Sequence, residues 1–269
     1  GPAGDRRGGT GDAGRCLSEA TDGAAALDDA ALLAPRSDIA QLSSEFREQG
    51  RVVVRDLFVP AFADALHRTL SGWTRWSLVT RAGGQHRRFD AAAFDQLPPE
   101  GRQALDALVF AEARGGFQYL YERQPLYDPD QVEDDHGAAD PVLARMRGLL
   151  RQGPLIGLAR QITGLPHIAH GDGQLTRYRR GHFLTLHDDA AEGKHRLAAY
   201  VLGMTRDWNA DAGGQLQFLA ADGRVEHSLV PAFNTLALFR VPQPHLVTAV
   251  APFVEHARLS VTGWLRGPG

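Results

Sequence analysis

Short apolar runs separated by turn residues fill the second half of the chain and limit its possible folds most strongly. Each run is too short for an average helix, and Gly, Pro and Asp residues interrupt the series. The pattern predicts strands at about 173–178, 183–187, 196–204, 215–219, 224–230, 234–239, 245–250 and 257–265. Eight such strands joined by turns favour a double-sheet jelly roll, also called a double-stranded β-helix.

The first half of the chain has helical periodicity instead. Apolar residues at helical spacing predict helices that begin at Ser37 and at Pro60, followed by helices at about 99–113, 141–151 and 155–163. Short strands are expected between them at 51–58, 77–80 and 117–121. The predicted class is therefore α+β with a mainly β core and N-terminal helices packed on one sheet.

This division predicts three parts of the chain. Residues 1–36 are rich in Gly, Ala, Asp and Arg and are expected to form a flexible tail, with a helical turn at 24–33 as one option. Residues 37–164 form a helix-rich supporting region, and residues 165–269 form the β core. The loop from Tyr127 to Asp140 is long and acidic, which makes it a candidate lid.

Composition excludes several classes of protein. The formal net charge of -3 gives no general electrostatic reason to bind nucleic acid, and no apolar stretch is long enough to span a bilayer. The single cysteine, Cys16, permits no disulfide within the chain. No secretory signal pattern is present, so the cytoplasm is the expected location. The sequence does not indicate an oligomeric state.

The most chemically specific segment is the predicted strand that ends at His187. Side chains two positions apart on a strand point the same way, so His187 and Asp189 are expected to converge on one point. His170 and Asp172 have the same spacing and are the competing pair. The downstream pair is favoured because it follows Tyr178 and lies at a strand end.

A second histidine would complete a metal site. His245 precedes an apolar run and is the best candidate, while His227 and His256 are alternatives that could equally be surface residues. Two histidines and one carboxylate form the facial triad that binds non-haem Fe(II) and leaves other coordination positions open.

The last predicted strand alternates Arg258, Ser260, Thr262 and Trp264 on one face. The planar guanidinium of an arginine can bind a carboxylate through two parallel hydrogen bonds. The simpler interpretation is that Arg258 pairs with Glu255 at the surface and that Trp264 is a wall or core residue.

The whole order, Tyr-x2-Gly-x-Phe-x3-His-x-Asp, then a distant His and then Arg-x-Ser, resembles the Fe(II)- and 2-oxoglutarate-dependent oxygenases of the prolyl-hydroxylase type. The match covers roughly residues 173 to 266. It is closer to the branch that includes the yeast termination-and-polyadenylation and sterol-response prolyl hydroxylases. The resemblance implies that His187, Asp189 and His245 bind iron, that Arg258 binds the distal carboxylate of 2-oxoglutarate, and that Tyr178 and Ser260 support this cosubstrate.

One position departs from the family pattern. Relatives often have a tyrosine that contacts the cosubstrate in the strand after the aspartate ligand, whereas this chain has Gly203 there. Gly203 is therefore expected to leave a space beside the 2-oxoglutarate pocket. Tyr200 is expected to face the opposite way, into the core.

The resemblance implies a dioxygenase that hydroxylates an unactivated C–H bond and releases succinate and CO2. The implied cofactors are Fe(II), 2-oxoglutarate as cosubstrate and O2, with ascorbate as a candidate addition. A prolyl residue in a protein is the favoured substrate, and the basic stretch His86 to Arg88 and the cluster Arg177, Arg179 and Arg180 are candidate peptide contacts. The alternatives are hydroxylation of a small molecule or free amino acid, and a non-catalytic cupin-like binding module.

Overall fold

A computed structural model describes residues 31–130 and 139–268 of the chain. Six helices lie within these residues: α1 (Ile39–Gln49), α2 (Pro60–Gly72), α3 (Ala91–Asp95), α4 (Pro99–Ala113), α5 (Pro141–Arg151) and α6 (Pro154–Thr163). Local chemistry explains several of their ends. Gly50 ends α1 in the left-handed conformation at φ 69°, and the Asp140 side chain accepts hydrogen bonds from Val142 N and Leu143 N at the start of α5.

The strands of the first half are β1 (Arg51–Arg55), β2 (Ser77–Ala82), β3 (Gln85–Asp90) and β4 (Tyr119–Tyr127). Those of the second half are β5 (His170–Gly171), β6 (Gly173–Tyr178), β7 (Phe183–His187), β8 (Arg196–Met204), β9 (Leu216–Leu219), β10 (Val225–Leu229), β11 (Phe233–Arg240), β12 (His245–Val247) and β13 (Arg258–Arg266).

These strands form one antiparallel system that folds back on itself. The hydrogen-bonded order is β1-β11-β8-β13-β6-β4-β7-β12-β9-β10. Strand β4 makes the connection, because its first residues, Tyr119 and Leu120, pair with β7 and its later residues pair with β6. The result is two facing layers, which is the arrangement of a double-stranded β-helix.

Two apolar clusters fill the two sides of the larger layer. The outer cluster packs the helices against alternate strand residues such as Leu175, Tyr200, Leu202 and Val261. The inner cluster lies between the two layers and contains Tyr178 and Phe239 from one layer with Phe218 and Val247 from the other. Tyr200 therefore belongs to the outer core, as the sequence predicted, and its hydroxyl donates to Asp172 O at 2.8 Å.

The predicted strands of the second half and the predicted helices are confirmed with small shifts at their ends. The sequence missed β3, whose residues are all exposed and therefore lack the apolar alternation that marks a strand. It also ended β4 too early, whereas the strand continues through Pro125, where the register shifts. The Gly83–Gly84 turn joins β2 to β3 with positive φ at both residues.

The predicted flexible tail differs from the structure in its last residues. Leu32 is fully buried, and its carbonyl accepts a hydrogen bond from Val59 N. Residues 1–30, including most of the predicted helical turn, and residues 131–138 of the candidate lid lie outside the described residues. Strands β1 to β4 show that residues 37–164 contribute strands to the sheet as well as helices, and the three-part division remains a proposal.

No helix in the described parts of the chain has the length and apolar character needed to cross a bilayer.

Candidate metal centre

His187 and His245 are brought together by strand pairing. His187 is the last residue of β7, His245 is the first residue of β12, and the two are opposite each other in the antiparallel register. Their ring centroids are 4.1 Å apart. A separation of 58 residues along the chain thus becomes a contact, because β7 and β12 are neighbours in the smaller layer.

Asp189 completes the group just beyond the end of β7. Its backbone has φ 65°, in the left-handed region, which aspartate tolerates better than most residues. Its Oδ1 lies 3.5 Å from His187 Nε2, and its Oδ2 lies 3.4 Å from His245 Nε2. One ligand atom from each of the three residues lies within 4.8 Å of the others, and no other such group of His, Cys, Asp and Glu occurs in the residues that the structure describes.

The hydrogen bonds of both rings determine which nitrogen carries the proton. A carbonyl oxygen can only accept, so His187 Nδ1 donates to Thr185 O at 2.9 Å and His245 Nδ1 donates to Gln243 O at 2.7 Å. A neutral ring in this tautomer directs the lone pair of Nε2 toward Asp189. Lone pairs and a carboxylate that face one another repel unless a cation lies between them, so the donor set fits a bound metal ion.

The buried position of His245 strengthens this fit. Burial, with a further contribution from the neighbouring His187, lowers the pKa of His245 to about 4. The ring is therefore neutral near pH 7, which is the form that a metal ligand requires. The two alternatives to His245 as the second histidine ligand lie elsewhere. His227 is on the exposed strand β10, and the ring of His256 packs edge-on against Trp208, with ring centroids 5.0 Å apart.

Arg258 lies at the start of β13, in the interior between the two layers. Its side chain is buried, and its guanidinium carbon lies 4.9 Å from the ring centroid of Tyr178, its partner in the register. Burial lowers the pKa of Arg258. No carboxylate of the described residues, Glu255 included, forms an ion pair with it, so the predicted surface pair is not seen. A buried cation without a counterion fits an anionic ligand.

A small cavity connects the triad with Arg258. It has a volume of about 90 Å³, and its walls include Tyr178, Thr262 and Trp264. Tyr178 is buried against Tyr121, with ring planes 6° apart and centroids at 5.1 Å. Burial raises the pKa of Tyr178 above its ordinary value, so its hydroxyl stays protonated.

Ser260 is placed differently from the expectation. It is buried, and its hydroxyl lies 2.8 Å from Thr176 Oγ1 across the β6–β13 pair, while Thr176 and not Ser260 lines the cavity. The sequence did not single out Thr176, Tyr121 or Gln174 as site residues, although all three line the cavity. The alternation of Tyr119 and Tyr121 on a predicted strand was the available signal for Tyr121.

A cavity of about 780 Å³ lies beside Gly203, and Thr205 and Arg258 also line it. An added Cβ at Gly203 would lie 2.3 Å from the Ala232 carbonyl oxygen and 2.9 Å from Thr235 Oγ1, so a larger residue at this position requires a shift of the backbone. The close approach of Ala232 accompanies an irregularity in β11, where Asn234 has φ 55° and its side chain bonds to both Phe58 N and Phe58 O at 2.9 Å.

The arginine cluster beside the site forms an ion network. Arg177 Nε donates to the fully buried carboxylate of Glu122, and Arg179 bridges Glu122 and Asp95, with both bonds to Asp95 at 2.9 Å. These contacts occupy Arg177 and Arg179 within the protein. Of the predicted peptide-contact cluster, Arg180 lies outside this network: it is exposed, and its Nη1 donates to Pro252 O at 3.4 Å.

The comparison with known proteins identifies the part of the chain that contains these site residues. Residues 173–266 match the family model of the 2OG-Fe(II) oxygenase superfamily. The chain is 29% identical over 150 residues to the prolyl 3-hydroxylase OGFOD1 of Mus musculus, and the match covers 53% of this chain and 27% of the mouse protein. The chain thus spans about a quarter of the length of that relative.

Two solved structures share the fold. A prolyl-4-hydroxylase of Pseudomonas putida is 20% identical with a TM-score of 0.53, and the match covers 86% of this chain and 100% of that one. A prolyl hydroxylase of Trichoplax adhaerens, in complex with a hypoxia inducible factor oxygen degradation domain peptide fragment, is 14% identical with a TM-score of 0.54, over 85% and 89% of the two chains. At these identities the likeness supports the jelly-roll fold.

Proposed function

Because residues 173–266 belong to the 2OG-Fe(II) oxygenase superfamily, we propose that this protein is a 2-oxoglutarate-dependent dioxygenase that hydroxylates a prolyl residue of a protein. The observation that carries the proposal is the convergence of His187, Asp189 and His245 within 4.8 Å, with both ring Nδ1 atoms bonded to backbone carbonyls. Three protein ligands are the number that non-haem Fe(II) oxygenases use, and they leave positions for other ligands.

In this proposal the three ligands hold Fe(II) and the deeper residues hold 2-oxoglutarate. The guanidinium of Arg258 binds the distal carboxylate of 2-oxoglutarate, and the Tyr178 hydroxyl lies on the same side of the cavity. Ser260 acts through its hydrogen bond to Thr176, which keeps the wall of the cavity in place. These residues would hold the cosubstrate between the three metal ligands and Arg258, which line the same cavity.

When bound, Fe(II) with O2 and 2-oxoglutarate supplies the oxidising power for C–H hydroxylation, with succinate and CO2 as coproducts. The contribution of the chain is geometric. The carbonyl oxygens of Thr185 and Gln243 fix the orientation of the two imidazoles, and the apolar inner cluster excludes water from the cavity.

The cavity between the metal ligands and Arg258 has a volume of about 90 Å³, and this proposal assigns it to the cosubstrate. Arg258 also lines a second cavity of about 780 Å³, which lies within the roughly 300 to 1,000 Å³ of typical small-molecule pockets, so the preference for a protein substrate rests on the relatives and not on cavity size. The 29% identity to a mouse prolyl 3-hydroxylase supports a prolyl residue as the target.

The test is metal and cosubstrate binding followed by turnover. Purified protein loaded with Mn(II) is expected to bind 2-oxoglutarate in calorimetry, and protein with Fe(II) is expected to form succinate faster when proteins of a cell lysate are added than when free proline is added. Stimulation by free amino acids or small metabolites alone would support the small-molecule alternative. Absence of 2-oxoglutarate binding would contradict the oxygenase proposal.

The cytoplasm remains the proposed location of the protein, and fluorescence microscopy of the tagged protein tests it.

A further inference from the structure

The sheet face that carries the candidate metal centre continues outward across β4, β2 and β3. In the register, Thr176 is opposite Arg123, Arg123 is opposite Ser77, and Val79 is opposite both Tyr121 and Arg88. Opposite residues of an antiparallel pair lie on the same face of a sheet. The side chains of Arg88, Tyr121 and Arg123 therefore share the face that lines the cavity.

The outer part of this face is a surface that we name the platform, consisting of Arg81, His86, Arg88, Tyr119 and Arg123. His86 Nδ1 lies 2.6 Å from the Tyr119 hydroxyl. The ring of Phe117 connects the platform to the metal centre, because its centroid lies 5.6 Å from Tyr119 and 5.6 Å from His187, while Arg81 lies 5.9 Å from Phe117. The platform thus begins beside the proposed iron ligands.

The platform is cationic in a chain whose formal net charge is -3. Within this face of β2, β3 and the first five residues of β4, the register places one carboxylate, Asp90, and its side chain accepts a hydrogen bond from Ala93 N at the start of α3. Every residue of β3 is exposed. Arg88 is exposed, and it forms no ion pair with any described residue.

We propose that the platform binds an acidic, extended segment of the protein substrate, next to the residue that is hydroxylated. The inference rests on the proposed function for the identity of the substrate, while binding itself needs no turnover. Charge complementarity is one argument, since an acidic segment would pair with Arg81 and Arg88. The other is that β3 pairs only with β2 among the described strands, which leaves its outer edge open to the backbone of an extended peptide.

Arg87 and Arg88 provide a matched pair of variants. They are adjacent on β3, both exposed, and identical in charge. Arg87 is opposite Thr80 and shares the face of the helices, whereas Arg88 is opposite Val79 on the face of the platform. Arg87→Glu and Arg88→Glu change the net charge equally, so a difference between them reports the face and not the overall charge.

The experiment measures binding by fluorescence anisotropy at low ionic strength, with the full chain in the presence and absence of Mn(II) and 2-oxoglutarate. The probes are a labelled peptide with one proline between Glu-rich flanks, the same peptide with Gln in place of each Glu, and a labelled oligouridylate. We expect the Glu peptide to bind about tenfold more tightly than the Gln peptide, Arg88→Glu to remove most of this difference, and Arg87→Glu to change it less than about twofold.

Three outcomes would overturn the inference. These are equal affinity for the Glu and Gln peptides, equal losses in Arg87→Glu and Arg88→Glu, and tighter binding of oligouridylate that depends on Arg88, which would make the surface a nucleic-acid site. Failure of 2-oxoglutarate to bind would contradict the proposed function separately, because the peptide assay without cosubstrate would still report on the platform.

Discussion

Two His-x-Asp segments with the same spacing have opposite surroundings in this protein. At the first segment, the Nε2 atoms of His187 and His245 face the carboxylate oxygens of Asp189. At the other segment, Asp172 Oδ1 accepts a hydrogen bond from Trp264 N at 2.8 Å, and its Oδ2 lies 3.5 Å from Arg266 Nη1. The first pair therefore has lone pairs available to a metal ion, and the second carboxylate is already bound by the protein.

The difference teaches that neighbouring strands decide the role of such a pair. Strand β12 brings His245 against the end of β7 and supplies the third ligand. Strand β13 brings Trp264 and Arg266 against β5 and the residues after it, and among the described residues no third metal-binding side chain joins His170 and Asp172. Arg266 also binds Asp128, so this second region links β4 to the last strand. It is a structural ion network.

The largest expected effect follows removal of a proposed ligand. His187→Ala or Asp189→Ala leaves two of three ligands, and we expect at least a hundredfold loss of metal affinity and no measurable turnover. Fe(II) retained after dialysis is the measurement. Undiminished retention in both variants would contradict the assignment of the metal centre.

The next effect concerns Arg258. Arg258→Ala removes a charge-assisted pair with the cosubstrate, worth about 1.5–3 kcal/mol, so we expect the apparent KM for 2-oxoglutarate to rise roughly tenfold to a hundredfold. Metal affinity is expected to change little, because the cavity separates Arg258 from the triad. Unchanged affinity for 2-oxoglutarate would rule out this role, and Arg258→Lys serves as the charge-retaining control.

A smaller effect is expected at Asp172, on stability and not on metal binding. Burial raises the pKa of Asp172 to about 6, above its unfolded value of 3.8. A raised pKa in the folded state stabilises the fold at low pH, and this contribution is lost as pH rises from about 4 to about 6. Asp172→Asn should reduce that slope, on the order of 2 kcal/mol in total, as measured by urea unfolding at several pH values. An identical slope in the variant would show that Asp172 does not cause it.

The smallest effect is expected at His170. Its Nε2 is buried without a hydrogen-bond partner among the described residues, and burial lowers the pKa of the ring. His170→Gln should leave Fe(II) retention unchanged and alter the free energy of unfolding by less than about 1 kcal/mol. Loss of bound metal in this variant would show that the segment with His170 and Asp172, and not the one with His187 and Asp189, binds the metal.

Much of the fold could be predicted because local patterns report burial directly. Strands β6, β7 and β8 and helix α4 have the predicted limits, since their apolar residues repeat with the period of the element. Strand β3 could not be found this way, because none of its residues is buried. Tyr121 and Thr176 were missed as cavity residues because their importance depends on strands far away in the chain.

The sequence by itself determined the two-residue spacing of His187 and Asp189, the alternation that directs Arg258 inward, and the family pattern that unites them. Only the tertiary structure decided that His245 and not His227 or His256 joins the pair, that the Ser260 hydroxyl lies against Thr176 Oγ1, and that the Ala232 carbonyl approaches Gly203 closely. The physical reason is that strand alternation is a local property, whereas the partner of each strand and its register depend on packing across the whole sheet.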